Sequence, residues 1–570
     1  MEFEQKAEEK KMSMSKNIAR LAVTAGLTAA LSFGGVMAPV TMAFAEGTDG
    51  SVTIKNVDGN TTEFEGYQIF NADVADDGSV SNITWASLEV QDAVEGVIRK
   101  EDETYAGATA QDAADWIANN VKVTGKTTRV DSNSVAYKIA DAVDGLTESA
   151  KTNNKTVSGL GHGYWLFVTA ADTIGVGEAG TSPIFTVVGS KPVNITEKTG
   201  VPTVEKKIVS DANNAEHDAA DSQIGQNVTY NLYGTIAENY DKYDTYFYQF
   251  SDKISKGLTL QKGAKVYLYK NRDDAKGDLA RTDGTDITDN FNELTATAAA
   301  DGSKTTTWTC ENLKQVADVN KDSYIVVSYK AQINKDAVVA GTEGNENTVT
   351  LNYSNNPMTS ERGETKPDTV KDYTYGLRIN KVDLGTEKAL EGARFTIQAT
   401  TADDVASTNL FVQDNGSLGE TPKEFVTNGE GIIEVTGLDA GTYTVTEVSA
   451  PSGYAKVDPF TFEIKPSMKD DDPDAGLTGL TGELTTGQGD KVIAGLTYGD
   501  TGDNSLTVKP GSEKTDGIFN ITVGDTKQVG LPLTGLNGVT FTWIAGGAVL
   551  CIGVAHLIRS RKQAEESEQE

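Results

Sequence analysis

Two lysines stand where the alternation of a predicted strand calls for an apolar side chain. Lys381 follows Leu377 and Ile379 at intervals of two residues, and Lys206 follows Val204 in the same way. Successive side chains of a strand point to opposite faces, so each lysine shares a face with its apolar neighbours. Burial lowers the pKa of an amine, and a neutral amine is a nucleophile. Both lysines are therefore candidates for covalent chemistry with a buried carboxyl or amide group.

Other residue types that often carry catalysis are sparse. The chain has three histidines, which are far apart in the sequence and so argue against a histidine-based active site or a zinc cluster. Of the two cysteines, Cys551 lies in a C-terminal apolar run, which leaves Cys310 without a partner for an internal disulfide. The net charge of −33 argues against nucleic acid as a partner. We expect no metal, no cofactor and no enzyme activity beyond self-directed bond formation.

The elements that must position the two lysines are mainly strands. A chain of 570 residues predicts three to four domains. We predict a mainly β fold of tandem immunoglobulin-like sandwich domains in a rod, with helical insertions at 109–121 and 132–146 in the first domain. A tract rich in Gly, Thr and Asp at 469–516 is predicted to be a long loop. The predicted segments are a signal peptide (1–45), an N-terminal β-rich domain (46–195), a middle domain (196–360), a linker (361–373), a third domain (374–530), a short motif (531–535), a transmembrane helix (536–558) and a cytoplasmic tail (559–570).

Both ends of the chain carry signals for export. Near the N-terminus, basic residues and an apolar run precede Ala43 and Ala45, which form an A-x-A cleavage pattern. This arrangement predicts a signal peptide that is cleaved after Ala45. The apolar run Val539–Ile558 is long enough to span a bilayer, and the basic residues after it would stay in the cytoplasm. The body of the protein is thus expected outside the cell.

Five residues ahead of the C-terminal apolar run form a short motif: Leu531, Pro532, Leu533, Thr534 and Gly535. Motif, apolar run and basic tail together resemble the L-P-x-T-G wall-sorting signal of Gram-positive surface proteins. The resemblance implies that a membrane sortase cleaves after Thr534. The sortase cysteine would hold Thr534 as a thioester until an amine attacks it.

The predicted third domain resembles the collagen-adhesin B-type domain of Gram-positive pilins and adhesins. The segments that carry this resemblance are 377–383, 389–397 and the glutamate box at 441–454. In that family a first-strand lysine condenses with a last-strand Asn or Asp, assisted by a buried glutamate. The resemblance implies an isopeptide bond between Lys381 and Asp525, with Glu447 as proton shuttle and water as the leaving molecule. Asn520, on the other face of the last strand, is the alternative partner.

The predicted middle domain resembles the companion isopeptide domain of fimbrial shaft proteins. The matching segments are 202–208, 249–260 and 345–357. The resemblance implies a bond between Lys206 and Asn347 that releases ammonia, with Asp252 as proton shuttle. Lys207 is the alternative to Lys206, although strand alternation favours Lys206.

The segment that connects the first two predicted domains contains a further candidate lysine. In pilin shaft subunits this place carries a motif of the type V-x-V-Y-P-K, whose lysine attacks the sortase thioester. Residues 193–198 align with that motif, with Thr196 and Glu197 in place of Tyr and Pro. Lys198 is then the expected intersubunit acceptor, and Lys191 is the alternative.

The sequence as a whole resembles the shaft subunit of a sortase-assembled pilus on a Gram-positive cell wall. The implied partners are pilin-specific and housekeeping sortases, further copies of the chain, ancillary pilins and peptidoglycan, with a host surface ligand left open. The alternative is a monomeric wall-anchored adhesin, or an ancillary tip or base pilin, that binds a host matrix ligand.

Overall fold

Strands dominate the chain and form three successive pairs of sheets, which confirms the mainly β fold class. The computed structural model describes residues 48–528 except 57–59, 77, 121–133, 154, 198–199, 340–342, 403–408, 471–474, 486–492, 499–504 and 508–517. The predicted signal peptide, sorting motif and C-terminal span lie outside the described residues. Within the described ranges, no helix is long and apolar enough to cross a membrane.

The first domain pairs a three-stranded sheet, ordered β5-β1-β8, with a second sheet ordered β3-β2-β6-β7, in which β4 also pairs with β2. Its strands are β1 (Gly50–Lys55), β2 (Phe64–Val74), β3 (Val80–Trp85), β4 (Ala150–Thr152), β5 (Thr156–Leu160), β6 (Gly163–Thr169), β7 (Ile184–Val188) and β8 (Val193–Thr196). Its helices are α1 (Leu88–Glu101), α2 (Ala110–Asn120), α3 (Val135–Val143) and a 3-10 turn (Ala171–Thr173).

Helices α2 and α3 fall within the predicted helical insertions, whereas the sequence analysis did not assign α1. The Ser87 side chain caps α1 by accepting a hydrogen bond from the Val90 amide at 3.2 Å. Val90, Val94 and Val97 form its buried face at helical spacing. The helix could have been recognised from this serine cap and the spacing of the valines.

The second domain is a sandwich of two seven-stranded sheets. One is ordered β10-β9-β12-β19-β15-β16 with β14 on β19, and the other β11-β22-β20-β13-β18-β17 with β21 on β20. Its strands are β9 (Val204–Val209), β10 (Glu216–His217), β11 (Ala219–Asp221), β12 (Asn227–Thr235), β13 (Tyr248–Ile254), β14 (Leu258–Leu260), β15 (Lys265–Tyr269), β16 (Thr285–Asp286), β17 (Asn292–Thr295), β18 (Lys304–Cys310), β19 (Tyr324–Ile333), β20 (Asn345–Ser354), β21 (Arg362–Glu364) and β22 (Asp368–Tyr373). Its helices are α4 (Arg272–Gly277) and 3-10 turns at Tyr240–Lys242, Thr288–Asn290 and Leu313–Gln315.

The structure differs from the predicted linker at residues 361–373. This segment forms β21 and β22, and both strands pair with β20 in the second domain. The inward-facing residues of β22 are Asp368, Val370 and Asp372, which are all buried. Two of these three residues are aspartates, so the strand lacks the apolar alternation that would have marked it.

The third domain has a five-stranded sheet, ordered β28-β23-β35-β30 with β33 on β35, and an eight-stranded sheet, ordered β26-β25-β24-β29-β31-β32-β34 with β27 on β24. Its strands are β23 (Tyr375–Asp383), β24 (Arg394–Ala402), β25 (Phe411–Val412), β26 (Leu418–Gly419), β27 (Phe425–Val426), β28 (Ile432–Leu438), β29 (Gly441–Ser449), β30 (Tyr454–Ala455), β31 (Phe460–Lys469), β32 (Gly476–Thr485), β33 (Ile493–Tyr498), β34 (Ser505–Thr507) and β35 (Ile518–Lys527).

The prediction of a long loop at 469–516 is wrong over the described residues, because β32, β33 and β34 lie within this tract. Strand β32 pairs with β31 along nearly its whole length, and its Leu477 and Leu480 are buried. Frequent Gly and Thr residues give this tract a turn-like composition. The long ladder with β31 supplies the backbone hydrogen bonds that a loop of this composition would otherwise find in water.

Candidate cross-linking sites

The second domain brings Lys206, Asp252 and Asn347 together in its core. Lys206 on β9 is fully buried, and its Nζ donates to Asp252 Oδ1 and, at 2.6 Å, to Asn347 Oδ1. Strand β9 belongs to one sheet, whereas β13 and β20, which carry the other two residues, belong to the opposite sheet. The lysine therefore reaches across the sandwich to an amide and a carboxyl group.

Two features fix Lys206 in this position. Its backbone N–H donates to the Asp368 carboxylate at 2.6 Å, which ties β9 to β22 of the other sheet. Its ammonium lies 5.6 Å from the ring centroid of Tyr230 and 5.5 Å from that of Tyr329. These two rings stack on each other, and Trp308 stacks on the Tyr329 ring.

Burial lowers the pKa of Lys206 to about 8, against the opposing effect of the Asp252 and Asp368 carboxylates. Burial also raises the pKa of Tyr329 well above its ordinary value, and the nearby charge of Asp252 adds to this rise. A larger fraction of this amine is thus neutral and nucleophilic near neutral pH than for an ordinary lysine, while the phenol keeps its proton.

Lys207 lies on the other face of β9, as strand alternation requires. Its Nζ pairs with Asp218 at 2.5 Å and with Glu205 at 3.5 Å. The side chain is partly exposed at 20%. This places Lys207 away from Asn347 and leaves Lys206 as the lysine in contact with it.

The third domain brings Lys381, Asp525 and Glu447 together. Each of the three side chains is buried to 1% exposure or less. Lys381 Nζ donates to Asp525 Oδ1 and, at 3.1 Å, to Glu447 Oε2. Lys381 and Asp525 lie on the adjacent parallel strands β23 and β35, while Glu447 projects from β29 of the opposite sheet.

The surroundings of Asp525 favour its neutral form. Burial raises the pKa of Asp525 to about 6; Lys381 opposes this rise, and the negative charge of Glu447 adds to it. Glu447 is itself held in place, because its Oε2 accepts a hydrogen bond from the Val457 amide at 2.8 Å. A carboxyl group that holds a proton can be attacked by an amine with water as the leaving molecule.

Asn520, the alternative partner in the third domain, lies elsewhere on β35. It pairs in register with Arg378, whereas Lys381 pairs with Val523. It also faces away from the buried row of Phe519, Ile521 and Val523. The structure therefore brings Asp525, and not Asn520, to Lys381.

The candidate acceptor Lys198 and the motif at 531–535 lie outside the described residues. Lys191, the alternative acceptor, is exposed, and its Nζ donates to the backbone oxygen of Asp76 at 2.6 Å. The residue before Lys198 is fixed to the first domain. The Glu197 side chain is buried and accepts a hydrogen bond from Asn60 at 2.7 Å, and its backbone N–H donates to Lys55.

Two residues in contact with Lys206 were not identified from the sequence. Tyr329 contacts all three residues of the second-domain site through its hydroxyl, and Asp368 accepts the backbone N–H of Lys206. A signal for Tyr329 exists, since it is the polar member of the alternating buried row Ile325, Val327, Tyr329, Ala331 and Ile333. Asp368 lay in the predicted linker and had no such signal.

Comparison with known proteins first defines the class of the third domain. Residues 376–474 match the family described as SpaA, prealbumin-like fold domain. This match starts at the second residue of β23 and includes the strand that carries Glu447. This part of the third domain is therefore similar to the prealbumin-like domain of that family.

Further matches extend beyond the third domain. It is 28% identical over 286 residues to the trypsin-resistant surface T6 protein of Streptococcus pyogenes serotype M6, a match that covers 47% of this chain and 46% of that protein. The chain thus spans about half the length of this curated relative. Among solved structures, the T6 backbone pilin of the same organism is 18% identical, with 84% of this chain and 98% of that chain covered and a TM-score of 0.49. The major pilin SpaD of Corynebacterium diphtheriae is 17% identical, with 84% and 98% covered and a TM-score of 0.44.

Proposed function

We propose that this chain is the shaft subunit of a covalently polymerised pilus on the Gram-positive cell surface. One observation carries the proposal: two successive sandwich domains each bury a lysine against an Asn or Asp partner and a second carboxyl group. An unreacted buried ion pair is a weak source of stability, because desolvation offsets most of its attraction. A covalent bond at each site would instead join two strands of the domain, and a fibre under tension requires such a link.

In the third domain, the neutral amine of Lys381 attacks the carboxyl carbon of Asp525. Glu447 takes up and returns protons while the C–O bond breaks and water leaves. In the second domain, Lys206 attacks the amide carbon of Asn347, Asp252 receives a proton, and ammonia leaves. Each product is an isopeptide bond inside one subunit.

Polymerisation uses different residues. A sortase cleaves after Thr534 and holds its carbonyl carbon as a thioester. The amine of Lys198 in a second copy attacks that carbon, so an amide forms and the sortase cysteine is released. Further partners in this proposal are ancillary pilins and, for the basal subunit, a housekeeping sortase and peptidoglycan. The similarity to the T6 surface protein supports this assignment.

The pattern of polymers on a denaturing gel tests the proposal. Cells that express the wild-type chain with its sortase should give a ladder of high-mass species that survives boiling in detergent. Lys198→Ala should reduce the ladder to monomer, whereas the matched variant Lys191→Ala should leave it intact. A ladder that persists in Lys198→Ala would remove Lys198 from the proposal, and wild-type cells without a ladder would favour the monomeric adhesin.

A further inference from the structure

The hydroxyl of Tyr329 occupies the centre of the second-domain site. It donates to Asp252 Oδ2 at 2.5 Å and accepts from Asn347 Nδ2 at 2.7 Å. Lys206 Nζ also donates to it at 3.1 Å. One oxygen atom thus contacts the carboxyl group, the attacking nitrogen and the leaving nitrogen.

We infer that Tyr329 is a catalytic residue of bond formation between Lys206 and Asn347, carrying a proton from the attacking nitrogen to the leaving nitrogen. This role rests on the proposed function, since it requires that the bond forms. The chemistry needs such a carrier, because an amide nitrogen leaves as ammonia only after it gains a proton.

The proton balance assigns different tasks to Asp252 and Tyr329. Lys206 begins as an ammonium with three protons and ends as an amide nitrogen with one. Asp252 takes the first proton, which frees the amine to attack the Asn347 carbon. Tyr329 then accepts the second proton from Nζ and releases its own proton to Nδ2. The Nζ–C bond forms, the C–Nδ2 bond breaks, ammonia leaves, and the phenol ends unchanged.

The surroundings of Tyr329 suit this task. Its side chain is 2% exposed, so bulk water does not compete for the proton. Its ring stacks between Tyr230 and Trp308 at centroid distances of 5.5 and 5.3 Å, which fixes the position of the hydroxyl. At the third-domain site, Lys381 Nζ donates to two carboxylates, those of Asp525 and Glu447. That site therefore serves as an internal control.

The test is the rate at which each bond forms in the full chain. Protein recovered unfolded in urea is refolded by dilution, and the two cross-linked peptides are followed by mass spectrometry. Tyr329→Phe keeps the stacked ring and removes only the hydroxyl. Tyr248→Phe is the matched control, because this buried tyrosine in the same domain donates to the backbone oxygen of Thr235 instead.

The expected result is that Tyr329→Phe slows the Lys206–Asn347 bond at least tenfold, as general acid–base catalysis contributes about 100-fold or more. The Lys381–Asp525 bond in the same molecules should form at the wild-type rate, and Tyr248→Phe should match wild type at both sites. A Tyr329→Phe rate within twofold of wild type would overturn the inference, as would equal slowing by Tyr248→Phe. Wild-type protein that never forms the bond would overturn the proposed function itself.

Discussion

Lys381 and Asp525 lie on adjacent parallel strands, two register positions apart: Lys381 pairs with Val523, and Asp525 pairs with Asp383. The first and last strands of the third domain therefore run side by side at the candidate bond. Tension applied at the two ends of the domain would pass directly between these strands. A bond here would bypass the 144 sequence positions that separate the two residues.

Loss of the third-domain bond should weaken the fold considerably. In the loop-entropy model used for disulfides, closing a loop of this length contributes about 5 kcal/mol. Lys381→Met keeps the side-chain volume roughly constant but removes the amine. We expect the free energy of unfolding of this domain to fall by about that amount in denaturant titrations. Lys388→Met, an exposed lysine on the same domain, should change little; equal effects of both variants would contradict a covalent role for Lys381.

Glu447 should be required for one bond and irrelevant to the other. It contacts Lys381 from the opposite sheet and is far from Lys206 in the sequence and in the fold. Glu447→Ala is expected to abolish the Lys381–Asp525 cross-linked peptide while the Lys206–Asn347 peptide remains. Peptide mapping by mass spectrometry measures both in one sample. A Glu447→Ala protein with both peptides at wild-type levels would exclude Glu447 as proton shuttle.

The two bonds should depend on pH in different ways. Lys206 has its pKa lowered to about 8, so its neutral fraction grows as pH rises towards that value. Below that range, the rate of the Lys206–Asn347 bond should fall about tenfold per pH unit as the amine becomes charged. Asp525 has its pKa raised to about 6, so its protonated form is lost above that pH. The Lys381–Asp525 bond needs this protonated carboxyl together with a neutral amine, and these two forms change in opposite directions with pH, so its rate should stay nearly level above about pH 6.

Refolding by dilution into buffers between those two pKa values and beyond them measures both rates in the same molecules. The Lys206–Asn347 rate in a Lys381→Met variant provides the control for coupling between domains. Parallel pH profiles at the two sites would contradict this account of their protonation.

Asp368 should contribute to the stability of the second domain. It accepts a hydrogen bond from the backbone N–H of Lys206, and removal of this carboxylate would take that acceptor away from a buried donor. Asp368→Ala is expected to lower the free energy of unfolding by about 1–3 kcal/mol. Asp368→Asn keeps an oxygen acceptor and should lose less. Denaturant unfolding of the two variants gives the comparison, and an Asn variant as unstable as the Ala variant would argue against this hydrogen bond as the cause.

Strand alternation was enough to predict which residues of a single strand face the site. The period of two separates Lys206 from Lys207 and Asp525 from Asn520, and the structure places these residues accordingly. The mainly β fold followed from the same alternation. Strand β22 escaped prediction because two of its three inward residues, Asp368 and Asp372, are acidic.

Contacts between sheets could not be derived in this way. Tyr329 meets Asn347 because β19 and β20 belong to sheets that pack face to face, and nothing within either strand encodes that meeting. Its place in an alternating apolar row indicates burial alone. The loop prediction at 469–516 was wrong for a different reason: strand β32 in this tract pairs with the long strand β31 despite its turn-like composition.

The intact mass of the purified chain tests the central claim, that each of two domains carries its own covalent bond. Loss of water at Lys381–Asp525 and of ammonia at Lys206–Asn347 predicts a mass about 35 Da below that calculated for the residues present in the purified chain. Lys206→Met should retain only the loss of about 18 Da, and Lys381→Met only the loss of about 17 Da, each relative to its own sequence. A wild-type mass equal to that of the sequence, or an undiminished loss in the double variant, would contradict the account.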